Sequence, residues 1–66
     1  MKISVRDLNY FKIQECTDWL DKNVGERRFY LHNQRGGLGW RYYSTERTIE
    51  IEDEQMALLF VLKFGM

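Results

Sequence analysis

Arg27-Arg-Phe-Tyr-Leu-His-Asn-Gln-Arg-Gly-Gly-Leu-Gly-Trp-Arg-Tyr-Tyr-Ser-Thr45 decides how this 66-residue chain folds. Phe29 and Leu31 alternate with Tyr30 and His32, the period-two pattern of a strand beginning near Arg28. Asn33 to Gly39 reads as a loop, in which three glycines admit positive φ or a close backbone approach. Trp40 to Ser44 supplies the returning strand, so the segment is a β-hairpin. It holds five of the chain's ten aromatic residues and four arginines, with no carboxylate. Arginine and aromatic side chains offer large contact area and directional polar contacts, which suits a binding surface.

Working outward, Ile3 and Val5 alternate with Lys2, Ser4 and Arg6 as a short strand with one face on a core. Asp7 or Asn9 then caps a helix. Its apolar positions Tyr10, Ile13, Cys16, Leu20 and Val24 recur at spacings of three or four and form one stripe, which Gly25 ends. Trp19 falls at the edge of the stripe and Phe11 nearly opposite it. Asp18 and Lys22 form a supportive pair one turn apart. Downstream of the hairpin, Thr48 to Glu52 alternates around Ile49 and Ile51 as a further strand, and Asp53 caps a helix that starts at Glu54. Met56 to Phe64 is apolar all round. Either this helix is buried on two sides, by its own sheet and by a partner subunit, or Phe60, Leu62 and Phe64 alternate as a terminal strand. Taken as a helix, it gives an α+β single small domain, positions 1–66, of order β-α-β-β-β-α. An antiparallel sheet then carries both helices on one face.

A domain of this size buries only roughly 60% of the surface its unfolded chain exposes. Small scaffolds make up the deficit with a disulfide, a metal or a partner subunit. Cys16 is the single cysteine, and Cys16 with His32 falls short of a structural zinc set. No cofactor or metal is therefore expected, and a homodimer is. Ten Lys/Arg balance ten Asp/Glu, so any attraction to nucleic acid must be local. The longest apolar run, Met56 to Leu62, falls far short of the roughly 20 residues that span a bilayer. The first residues have no apolar core of signal-peptide length. A soluble protein of a reducing cytoplasm, with no membrane partner, is expected.

With Phe29, Leu31 and two later aromatics inward, Tyr30, His32, Arg41 and Tyr43 share the outer sheet face. That face can stack unpaired bases, form a protein interface, or stay solvated. Gly36-Gly37-Leu38-Gly39 matches the bare Gly-x-x-Gly of backbone-clamping loops, but here it joins strands and lacks lysine, so a flexible hairpin tip is the simpler reading. His32 has no nucleophile or orienting group beside it in sequence, and Cys16 on an apolar stripe behaves as a small, inert hydrophobe. Glu46, Glu50, Glu52, Asp53 and Glu54 form an acidic cluster in which Arg47 is the lone cation. Glu50 and Glu52 on one strand face could bind a divalent cation, but a solvated face plus compensation of the helix dipole explains them more simply. The cluster could also meet the arginine hairpin of a second copy.

The closing run Thr48-Ile-Glu-Ile-Glu-Asp-Glu-Gln-Met-Ala-Leu-Leu-Phe-Val-Leu-Lys-Phe-Gly65 resembles the ends of small uncharacterised proteins encoded by tailed bacteriophages. Cys16-Thr-Asp-Trp-Leu-Asp-Lys-Asn-Val-Gly25 is similar to their first helix, and the likeness covers about half of the chain. It implies a phage genome and the cytoplasm of a bacterial host. By analogy with other such proteins it implies binding to a host protein, and it brings no catalytic residue. The function expected is a non-catalytic protein-binding module, with Arg28, Tyr30, Arg35, Trp40, Arg41 and Tyr43 for partner contacts. Met56, Leu59, Phe60 and Phe64 are the candidates for self-association. The alternative is a nucleic-acid-binding module for single-stranded RNA that uses the same hairpin. It requires Glu50 to Glu54 to stand clear of the phosphate path.

Overall fold

The computed structural model describes residues 1–31 and 34–65; His32, Asn33, Met66 and the side chain of Leu31 lie outside the described part. The elements are β1 (Lys2–Ser4), α1 (Tyr10–Asn23), β2 (Arg27–Leu31), β3 (Gln34–Gly37), β4 (Trp40–Tyr43), β5 (Thr48–Ile51) and α2 (Glu54–Phe64). The strands form one antiparallel sheet in the order β1-β5-β4-β3-β2. α1 carries the chain from one edge of the sheet to the other, and a meander of β2 to β5 brings it back beside β1.

Cross-strand partners share a face, and the register sorts the side chains. Ile3, Ile49 and Tyr42 stand in one row, with Ile51 and Trp40 in the next. All five are buried with Val5, with Ile13, Cys16 and Leu20 of α1, and with Ala57 and Phe60 of α2 in a single core. Trp19 joins the two helices, its ring 5.9 Å from that of Phe60 and 6.2 Å from that of Phe64. Both helices therefore cover one face of the sheet. The other face carries Lys2, Glu50, Arg41, Gly36 and Phe29 in one row and Ser4, Thr48, Tyr43 and Gln34 in the next.

The fold is the α+β domain that the alternation predicts, with one strand more. Gln34–Gly37, within the segment read as a loop, forms β3 between β2 and β4. Gly36 and Gly37 carry no side chains to alternate, so their neighbours supply the cover. A β-carbon on Gly36 would lie 2.8 Å from Cζ of Phe29, whose ring roofs the glycine on the open face. Only Leu38 and Gly39 make the turn into β4.

A bulge between Arg27 and Phe29 sets the faces of β2. Arg27 pairs with Gly37 and Phe29 with Gly36, so the alternation slips by one residue. Phe29 consequently lies on the open face and Tyr30 on the helix-covered face, the reverse of the sequence expectation. Strict alternation has no means of anticipating an inserted residue when both sets are aromatic.

α1 begins at Asn9, whose side-chain oxygen accepts the Lys12 N–H at 2.8 Å. Its buried stripe starts with Ile13 and includes Thr17, whose hydroxyl donates to the Gln14 carbonyl at 3.1 Å. Tyr10, read as the head of that stripe, is exposed and meets Phe11 edge-on. Asp18 pairs with Arg27 at 3.2 Å rather than with Lys22. α2 is a helix to Phe64, capped by the Asp53 carboxylate and closed by Gly65 in the left-handed conformation at φ 70°.

Candidate functional site

The bulge and the register divide the arginine and aromatic hairpin between the two faces of the sheet. On the helix-covered face the side chains stack alternately. Arg27 lies 5.9 Å from the centroids of both Trp40 and Tyr30, and Arg35 lies 5.6 Å from Tyr30 and 5.2 Å from Tyr42. The sequence runs Trp40, Arg27, Tyr30, Arg35, Tyr42, each cation between two rings. α1 closes its flank, where Gln14 accepts from Arg35 at 3.4 Å and Asp18 from Arg27 at 3.2 Å. Much of the bias that suggests a binding surface is thus used inside the fold.

Of the six hairpin residues expected to contact a partner, Trp40 is 3% exposed and donates its indole N–H to the Gly25 carbonyl at 2.7 Å. Burial removes it from any surface. Arg35 is half-buried in the stack, and Tyr43 is half-buried with its hydroxyl donating to Glu50 at 3.2 Å. Arg28, Tyr30 and Arg41 remain exposed. They do not form one patch, because Tyr30 borders the helix side while Arg41 lies on the open face, 5.1 Å from the Phe29 centroid.

α2 sorts its apolar residues more sharply than its composition suggests. Phe60 is fully buried, and Met56, Val61 and Phe64 are partly buried against the same core. Leu58, Leu59 and Leu62 are 52%, 51% and 78% exposed. At about 100° per residue, Leu58 and Leu62 stand nearly opposite Phe60. Among the four self-association candidates only Leu59 is exposed. Phe60 belongs to the core, its ring 5.0 Å from that of Phe64 and 5.9 Å from that of Trp19. Leu58 and Leu62 escape the sequence reading, although taking Phe60 as the centre of the buried arc would have found them.

Two residues of the acidic cluster, Glu50 and Glu52, lie beside Arg41 of their own chain. Arg41 and Glu50 are direct cross-strand partners, and together with Glu52, Trp40, Gly37 and Gly39 they line a shallow cleft of about 200 Å³. Among the described residues, no group of three or more His, Cys, Asp or Glu is placed to hold a metal ion. Cys16 is buried, and desolvation pushes its thiol from the ordinary 9.0 up to about 11, with Lys12 opposing the shift. His32 lies outside the described residues, so the structure bears on no Cys16 and His32 pairing. Among the described residues, no helix is long and apolar enough to cross a membrane. No family model, curated protein or solved structure matches this chain.

Arg47, which the sequence shows only as the lone cation of the acidic cluster, ties the fold together at the far end of the hairpin. It adopts φ 51° in the turn before β5, its guanidinium donates to the Leu8 carbonyl, and its own carbonyl accepts the Val5 N–H at 2.8 Å. No local pattern predicts a left-handed arginine, because the conformation is held by distant partners.

Proposed function

We propose that the chain is a small non-catalytic protein-binding module that associates with a second copy of itself through α2. Its exposed hairpin arginines are left for another protein, a bacterial host protein if the phage resemblance reflects its origin. The observation that carries this reading is the row of Leu58, Leu59 and Leu62, more than half exposed on a helix that buries Ala57 and Phe60 in the core. Single exposed leucines are ordinary, but three within two turns of one short helix form an apolar strip that gains from being covered. Arg28, Tyr30 and Arg41 are of the residue types enriched at interface centres.

Placement of the carboxylates tells against the RNA reading. A phosphate tracker keeps acids away from its groove, yet Glu50 and Glu52 line the same cleft as Arg41. Light scattering of the wild type and of a Leu58→Glu/Leu62→Glu variant is the test. Twice the monomer mass is expected for the wild type, with the variant folded and monomeric by circular dichroism and scattering. A strictly monomeric wild type at high micromolar concentration overturns self-association. An affinity capture from host lysate with and without nuclease separates a protein partner, which survives nuclease, from a nucleic acid, which does not.

A further inference from the structure

We draw no further inference here: the strongest candidate, the shallow cleft on the open sheet face between Arg41, Glu50 and Glu52, is an acidic cluster into which, among the described residues, no buried unpartnered side chain is known to point, so nothing marks a ligand.

Discussion

Gly25 shows how closely the loop after α1 approaches the hairpin. A β-carbon there would sit 2.0 Å from the carbonyl oxygen of Leu38, while the Gly25 carbonyl is held by the Trp40 indole at 2.7 Å. The obstacle is backbone rather than the end of a flexible side chain, so Gly25→Ala must displace the β3–β4 turn or break the Trp40 bond. We expect a loss of about 1–3 kcal/mol, read from the urea midpoint. A change within measurement error would show that the two segments separate without cost. In the sequence Gly25 reads only as a helix terminator; its partner Leu38 is thirteen positions away, and no local pattern encodes that approach. Cys16 makes a second residue-scale prediction. Because folding raises its thiol from 9.0 to about 11, the folded state retains a proton that the unfolded chain releases. The contribution is fully present below pH 9 and is lost as pH rises through about 11. Urea midpoints at pH 8 and pH 10.5 should therefore fall more for the wild type than for Cys16→Ala. Equal falls would mean that the thiol is not desolvated.

At the scale of elements, α1, β4 and β5 are legible because each combines a period with a boundary signal. Asn9 and Asp53 do cap their helices, and Ile49 and Ile51 do point into the core. β3 is not legible, since two of its four residues are glycines. The facing of β2 is not either, since a bulge turns an accurate alternation over. α2 is intermediate. Asp53 marks its start, but an apolar run leaves a terminal strand open and hides which residues the core takes, and the candidate site inherits that ambiguity. Substitution separates the two sides of this helix. Phe60→Ala should cost about 3–5 kcal/mol, as expected for emptying a buried aromatic site. Leu62→Ala should change the stability of the isolated monomer by no more than about 0.5 kcal/mol. Denaturation of both variants at low protein concentration checks this. A large loss for Leu62→Ala in the monomer would place that leucine in the core and remove it from the proposed contact strip.

For the whole molecule, the question is which force joins two copies. The balance of ten cations and ten carboxylates suggests that the basic hairpin of one chain meets the acidic run of another. The register supplies a nearer compensation, since Arg41 faces Glu50 across adjacent strands and Asp18 receives Arg27 within one chain. Such juxtapositions within one chain weaken the attraction between copies, and salt at about 0.15 M screens what remains beyond roughly 8 Å. Apolar burial along Leu58, Leu59 and Leu62 is not screened in this way. The dimer fraction should accordingly hold constant or rise between low and high salt, measured by sedimentation at fixed protein concentration. A steep fall with salt would mean that the Arg27 to Thr45 and Glu46 to Glu54 segments hold the copies together, with α2 left free. The Leu58→Glu/Leu62→Glu variant distinguishes these arrangements independently. It should abolish a leucine-mediated dimer at every salt concentration and leave a charge-mediated one intact at low salt.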